Sequence, residues 1–175
     1  MSVSPLASIR AFFSSQKLDA ISGFLTEKTP QKPQQDAGSP SSRGVYPRAS
    51  RSLGGSPPTP FNTPSEFSER ELEATLRRAY EDVKEARIKI LFSHPPPVNT
   101  AVDRIRSGQH VGSSSVRRFL EETDCNACVC GHIHEAVGTD RVGSALVINP
   151  GMLPQGGYAR LEWDGEKLTA TLEQC

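Results

Sequence analysis

The chain has 175 residues, enough for one domain, and its 20 Lys and Arg residues balance its 20 Asp and Glu residues. This neutral balance argues against a polybasic nucleic-acid-binding surface, and no apolar run approaches the length of a transmembrane helix. Hydrophobic residues make up 35% of the chain, a low share for a globular domain, so we expect part of it to lie outside any core. We expect a cytoplasmic protein without membrane or nucleic-acid partners.

The N-terminal part differs in composition from the rest. Residues 1–25 scatter apolar side chains among serines with one acid, Asp19, a pattern compatible with a weak amphipathic helix, a targeting presequence or a frayed leader. Residues 26–64 are rich in Pro, Gln, Ser and Gly, and such a segment buries too little apolar area to offset its ordering entropy. We predict a leader and disordered Pro/Ser-rich linker over 1–51 and a folded domain over 52–175.

The first helix of that domain is predicted to begin after Ser68. Glu71 lies three positions later and completes the pattern of a capping box. Apolar residues then recur on one helical face, namely Leu72, Leu76, Ala79, Tyr80 and Val83.

Two apolar runs predict buried strands, and a histidine follows each of them. Residues Ile88–Phe92 form the first strand, which His94 and three prolines end because proline cannot continue a strand ladder. A polar loop over 98–112 follows, and Ser113 or Ser114 caps a short helix.

The C-terminal part is predicted to be rich in β-structure. Ala127–Cys130 is the second buried strand, and a run of antiparallel strands follows it. The predicted hairpins pair Ala136–Thr139 with Arg141–Ile148 around a turn near Asp140, and Gly157–Trp163 with Lys167–Leu172 around Asp164-Gly165.

The stretch Gly131-His132-Ile133-His134 carries the strongest chemical signal. Gly131 lets the backbone leave the preceding strand sharply, and histidines just past the ends of buried strands can converge on one point. The spacing of His132 and His134 suits two adjacent metal ions about 3.5–4 Å apart. An H-x-H pair alone is weak evidence, and an incidental structural role remains open.

The neighbouring cysteines offer an alternative zinc or redox site. Cys128, Cys130, His132 and His134 alternate at every second position, so an extended chain spreads them over roughly 20 Å. Tetrahedral zinc needs its ligands at about 2.0–2.3 Å. We therefore interpret Cys128 and Cys130 as small buried thiols in a strand, a common place for free cysteine.

Three ordered motifs resemble those of the calcineurin-like metallophosphoesterases. They are Ser-His-Pro-Pro-Pro at 93–97, Gly-His-Ile-His-Glu-Ala at 131–136 and Ile-Asn-Pro-Gly at 148–151. The resemblance implies a four-layer α/β/β/α sandwich with a dinuclear centre of manganese, iron or zinc that acts on a phosphoester substrate. It implies that His94 and His132 ligate one metal ion and that His134 ligates the other. Residues expected to support the site or to face substrate are Gly131, Asn149 and His110, and His110 is equally compatible with an ordinary surface loop.

The resemblance covers only the C-terminal half of the family domain. Complete members also carry Asp-x-His, Gly-Asp-x-x-Asp and Gly-Asn-His motifs, and none of these occurs in the sequence. We therefore predict an α/β fold that is a partial sandwich, with a mixed sheet and a β-rich C-terminus behind a disordered N-terminal arm. The strand Ile88–Phe92 is expected to lack neighbours, which would favour self-association or a complementing chain.

Four functions are compatible with these features. The first is a metal-dependent phosphoesterase fragment that is inactive alone, because three neutral imidazoles hold a pair of dications poorly without bridging carboxylates. The second is one half of a split phosphoesterase. The third is a non-catalytic binding module, and the fourth is a zinc or redox protein.

Overall fold

The computed structural model describes residues 66–164 and 166–175, together with two N-terminal strands whose backbone alone is described. Over these residues the elements in chain order are β1 (Ala7–Ala11), β2 (Gly23–Thr26), α1 (Glu69–Glu81), β3 (Lys89–Ser93), α2 (Ser114–Glu122), β4 (Ala127–Cys130), β5 (Gly138–Val142), β6 (Ala145–Asn149), β7 (Gly157–Trp163) and β8 (Leu168–Gln174). The predicted linker and residues 52–65 lie outside the described residues.

Both helices begin where their capping residues predict. Ser68 accepts a hydrogen bond from the Glu71 backbone N–H, and Glu71 accepts one from the Ser68 backbone N–H, which completes the capping box of α1. Ser113 caps α2 through a 3.2 Å bond from the Val116 N–H. Neither α1 nor α2, the α-helices in the described part of the chain, is long and apolar enough to cross a membrane.

The strands form two sheets. The five-stranded sheet has the order β2-β3-β4-β6-β5, in which β3, β4 and β6 run parallel while β2 and β5 pair antiparallel at the two edges. The three-stranded sheet has the order β1-β7-β8 and is antiparallel throughout. The prediction of a mixed sheet with a β-rich C-terminus is confirmed.

The alternation of side chains along the strands divides the core in two. Leu91 and Cys128 lie on one face of the five-stranded sheet and pack with Phe119 of α2. Ile90 and Val129, one position away, lie on the opposite face with Leu161 of β7. The described chain is therefore a helix layer, a mixed sheet and a second sheet, three layers of the expected sandwich.

Two segments within the predicted leader each add a strand to one of the sheets. The segment Ala7–Ala11 pairs with β7 and the segment Gly23–Thr26 pairs with β3, so these two segments are strands and not the helix that their composition allowed. The expectation that β3 lacks neighbours is wrong, because β2 satisfies the backbone groups on one side of it and β4 those on the other. The domain boundary at residue 52 stays a prediction.

Two details of the C-terminal strands differ from the prediction. The hairpin turns at Gly143, whose φ of 57° suits a tight turn, while Asp140 lies inside β5 opposite Val147. Strand β6 then lies parallel to β4, since the hairpin brings it back between β4 and β5. The terminal hairpin is confirmed, with Asp164 accepting turn hydrogen bonds from the N–H groups of Glu166 and Lys167.

Candidate metal centre

His94 and the Gly131 turn lie side by side because β3 and β4 are parallel neighbours. Ser93, the last residue of β3, is in register with Cys130, the last residue of β4, so the chain leaves both strands at the same edge of the sheet. The Gly131 N–H donates a 3.1 Å hydrogen bond to the His94 carbonyl oxygen. The side chain of His94 is buried at this edge.

His132 has a backbone conformation that is uncommon for a residue with a side chain. Its φ is 65°, in the left-handed region, and the turn is closed by a 2.7 Å bond from the Ile133 N–H to the Gly131 carbonyl. Strain of this kind costs about 1–3 kcal/mol and concentrates at functional sites. The turn directs the His132 ring toward β3.

The rings of His94 and His132 meet. Nδ1 of His132 lies 3.0 Å from Nε2 of His94, and the ring centroids are 4.7 Å apart with an interplanar angle of 66°. Two imidazole nitrogens can bind one ion at about 2.0–2.1 Å each. If the angle between the two metal–nitrogen bonds is roughly 90°, the nitrogens lie about 3 Å apart. The pair therefore fits two ligands of a single divalent ion, and without an ion the same distance suits a hydrogen bond.

The described residues do not gather a third ligand at this pair. His134 is exposed, and no group of three or more His, Cys, Asp or Glu side chains in the described part of the chain is arranged to hold a metal ion. The structure thus brings His94 and His132 together but not His134, whose assignment to a second ion stays a prediction. Two imidazoles fit a mononuclear site and do not fit a dinuclear centre.

Asn149 holds the histidine turn in place. Its side-chain amide donates to the carbonyl oxygens of Ile133 and Ala136, at 2.8 and 3.0 Å, and its side-chain oxygen accepts from the Gly151 N–H at 3.0 Å. Asn149 is 1% exposed. The end of β6 therefore ties down the turn that presents His132.

His110 lies on the loop between β3 and α2 and is paired with a buried carboxylate. Its Nδ1 lies 2.6 Å from Oδ1 of Asp103, whose side chain is 0% exposed. Asp103 also accepts hydrogen bonds from the backbone N–H groups of Asn99, Thr100 and Gly112. Burial alone would raise the pKa of Asp103, but these hydrogen bonds together outweigh burial and hold the pKa below its ordinary value.

Sequence reasoning did not identify Asp103 as part of the site. An Asp in a polar loop is usually solvated, and its burial depends on how the loop closes over it. The one local signal is Gly112: a Cβ there would lie 2.9 Å from Oδ2 of Asp103 and 2.6 Å from the Pro96 carbonyl oxygen.

The cysteines near the turn are buried thiols, as predicted. Cys128 and Cys130 lie in β4 at 0% and 1% exposure. Burial raises the pKa of Cys125 to about 12, and the pKa of Cys128 is raised by its contact with Cys130 and by burial. Thiols in this state are poor nucleophiles and poor metal ligands, because both roles need the thiolate.

The sequence is similar to known proteins over the same region. The profile of the family described as "Metallophosphoesterase, calcineurin superfamily" matches residues 62–172. A protein of Methanocaldococcus jannaschii, described as "Uncharacterized protein MJ1162", is 41% identical over 102 residues, which are 56% of this chain and 45% of that protein.

Two solved structures also superpose on part of the chain. One crystal structure does so with a TM-score of 0.52 at 26% identity, over 63% of this chain and 41% of the other. The protein TT1561 of Thermus thermophilus superposes with a TM-score of 0.43 at 20% identity, over 61% of this chain and 43% of the other. The chain spans less than half the length of each of these proteins. The family profile matches most of the chain, including both histidine motifs, and the chain therefore belongs to the calcineurin superfamily of metallophosphoesterases, whose C-terminal half it carries.

Proposed function

We propose that this chain supplies the histidine side of a metal-dependent phosphoesterase centre. His94 and His132 hold one divalent ion, of manganese, iron or zinc, and the chain hydrolyses no phosphoester by itself. The observation that carries the proposal is the 3.0 Å separation of Nδ1 of His132 and Nε2 of His94. Family membership supports phosphoester hydrolysis as the reaction of the complete site.

The residues of the chain each have a limited part in this centre. A divalent ion, when bound, would polarise a phosphoryl oxygen and lower the pKa of a bound water. His94 and His132 bind through neutral nitrogens, and Asn149 keeps the turn of His132 in place. None of these side chains carries a negative charge, so none of them offsets the repulsion between two dications about 3.5–4 Å apart.

We propose that the carboxylates of the complete site come from outside the residues of this sequence, and that a second chain can supply them. The motifs Asp-x-His, Gly-Asp-x-x-Asp and Gly-Asn-His are absent from the sequence, and the chain spans less than half the length of its relatives. We infer a cytoplasmic location, which is consistent with four free cysteines, since reduced thiols are the rule in the cytosol.

Metal binding is the first test. Isothermal titration calorimetry of the purified chain with Zn²⁺ and with Mn²⁺ should give one site per chain. His94→Ala and His132→Ala should each weaken it by about tenfold or more, equivalent to about 1.4 kcal/mol. His134→Ala is the matched control and should bind the ion nearly as well as the unchanged chain. Equal loss of binding in all three variants would contradict a mononuclear site at His94 and His132.

Hydrolysis is the second test. The chain, loaded with Zn²⁺ or Mn²⁺, should cleave bis-p-nitrophenyl phosphate no faster than the free ion does. Co-expression with a chain carrying the three missing motifs should give hydrolysis that disappears with His132→Ala. Turnover by the purified chain alone would refute the proposed dependence on a second chain, and no turnover after co-expression would refute the split enzyme.

A further inference from the structure

The loop between β3 and α2 carries a small hairpin beside the histidine turn. Arg104 and His110 pair across it as an antiparallel bridge, and the Ile105 N–H donates to the Gln109 carbonyl at 3.0 Å. Gly108, with a φ of 87°, closes its tip. We call residues 104–110 the loop hairpin.

The loop hairpin is attached to the turn that holds the metal-binding histidine. The Arg106 N–H lies 3.3 Å from Oε1 of Glu135, which follows His134 in the chain. Nearer its start, the same loop donates a 2.7 Å hydrogen bond from the Ala101 N–H to Asp140 of β5. These contacts tie the loop to the segment that directly follows the histidine turn and to β5.

Hydrogen bonding determines which nitrogen of His110 is available to a ligand. Nδ1 is held at Asp103, so Nε2 lies on the side of the ring away from the buried carboxylate. His110 has a side chain that is 36% exposed, whereas Asp103 is fully buried. With Nδ1 held at the carboxylate, Nε2 is the ring nitrogen that remains to contact a ligand.

The loop hairpin also carries two arginines. Arg104 donates from Nε to the Gly108 carbonyl at 3.2 Å, and Arg106 makes its contact with Glu135 through the backbone. Among the described residues, neither guanidinium forms an ion pair with a carboxylate. Guanidinium groups without a carboxylate partner are suited to bind phosphate oxygens in bidentate geometry.

We propose that the loop hairpin is the phosphate-binding rim of the site, in which Nε2 of His110 contacts an oxygen of the bound phosphate while Arg104 and Arg106 supply positive charge. The proposal rests on the proposed function, since it names the part of this chain that recognises the phosphoester. Asp103 is a positioning residue that acts through His110. The alternative is that Asp103 and His110 only shape the loop.

A titration with inorganic phosphate tests this contact on the purified chain. The chain is labelled with ¹⁵N-histidine, and His110→Gln identifies the His110 ring signals in long-range ¹H–¹⁵N spectra. Phosphate at millimolar concentration should shift these signals in a saturable way, without metal and more tightly with one equivalent of Zn²⁺. Arg106→Gln should weaken the response about tenfold, as expected for a charge-assisted hydrogen bond.

Controls separate phosphate recognition from loop structure. Arg78→Gln removes an exposed arginine of α1 and should leave the phosphate response unchanged. Asp103→Asn removes the carboxylate that holds Nδ1 of His110 and should weaken the phosphate response. If this variant fails to fold, Arg106→Gln and Arg78→Gln carry the test. His110 signals that stay unchanged throughout the titration, or an equal response of Arg78→Gln and Arg106→Gln, would overturn the proposal.

The two proposals can fail separately. If Zn²⁺ does not bind at His94 and His132 but phosphate still shifts the His110 signals, the proposed function fails and the phosphate-binding rim stands. If Zn²⁺ binds and the His110 signals ignore phosphate, the rim is overturned and the metal site stands.

Discussion

Nδ1 of His132 lies 3.0 Å from Nε2 of His94, although the two residues are 38 positions apart in the chain. Parallel pairing of β3 with β4 brings the two strand ends to one edge, and the left-handed conformation of His132 places its ring against His94. The ring contact needs both the parallel pairing and the left-handed backbone of His132, because the pairing alone brings the strand ends together without turning the His132 ring toward His94.

The backbone of His132 should favour glycine over alanine. His132→Gly and His132→Ala both remove the ring, but only alanine keeps a Cβ at a φ of 65°. The glycine variant should therefore be the more stable of the two by about 1 kcal/mol in urea denaturation of the metal-free chain.

Position 134 supplies the matched control for His132. Since His134 is not among the residues with positive φ, His134→Gly should be less stable than His134→Ala by about 0.5–1 kcal/mol. The same order of stability at both positions would contradict strain at His132.

Gly112 should tolerate no side chain. A Cβ at Gly112 would lie 2.6 Å from the Pro96 carbonyl oxygen and 2.8 Å from the Val98 nitrogen, both of which are backbone atoms. We expect Gly112→Ala to lower the free energy of unfolding by about 1–3 kcal/mol. Gly138→Ala is the control, because the nearest atom to its Cβ would be Cγ1 of Val102 at 3.9 Å. Equal urea midpoints for the two variants would contradict the prediction, because they would show that the loop backbone shifts to accommodate a Cβ at Gly112.

Asp103 should stabilise the fold in a pH-dependent way. Its pKa is held below the ordinary value of 3.8, so the stabilisation is complete above about pH 4 and is lost as the pH falls through the lowered pKa. At neutral pH, Asp103→Asn should cost about 2–4 kcal/mol, since a buried acceptor of several N–H groups becomes an amide. The difference between the two proteins should shrink in acid.

Chemical denaturation from pH 7 down to the acid range measures this difference. Asp82→Asn, at an exposed site, is the control and should change stability by no more than about 0.5 kcal/mol. A difference between Asp103→Asn and the unchanged chain that is constant across the pH range would argue that Asp103 is not ionised in the folded state.

Glu69 joins the two helices electrostatically. Its carboxylate accepts hydrogen bonds from the Ser113 hydroxyl and from the N–H groups of Ser114 and Ser115, and so caps the N-terminus of α2 from the first turn of α1. Burial would raise the pKa of Glu69, but these serine bonds outweigh burial and lower it. Glu69→Gln should cost about 1–2 kcal/mol at neutral pH.

The contribution of Glu69 should also depend on pH. With a pKa lowered from 4.5, the stabilisation is complete above about pH 4.5 and is lost as the pH falls through the lowered pKa. Glu85→Gln, at an exposed position near the end of α1, should leave the thermal midpoint nearly unchanged. A loss in Glu69→Gln no larger than that control would contradict capping across the two helices.

Local sequence signals predicted the elements that neighbouring residues determine. The capping box at Ser68 and Glu71 marked the start of α1, and the prolines after His94 marked the end of β3. The order of the histidine motifs predicted the family, and the match over residues 62–172 confirms it. Such features can be predicted from the sequence because helix caps, strand ends at proline and glycine turns each depend on a few adjacent residues.

The tertiary structure alone decided how these elements meet. The sequence predicted a turn near Asp140, but Asp140 pairs with Val147 inside β5 and the hairpin turn lies at Gly143, whose φ is positive. The burial of Asp103 depends on closure of its loop, and the contact of His94 with His132 depends on the register of two parallel strands. Register and loop closure are set by contacts between distant residues. The sequence by itself therefore identified the two histidines, and its family resemblance implied that they share one metal ion, but only the fold brought their rings into contact.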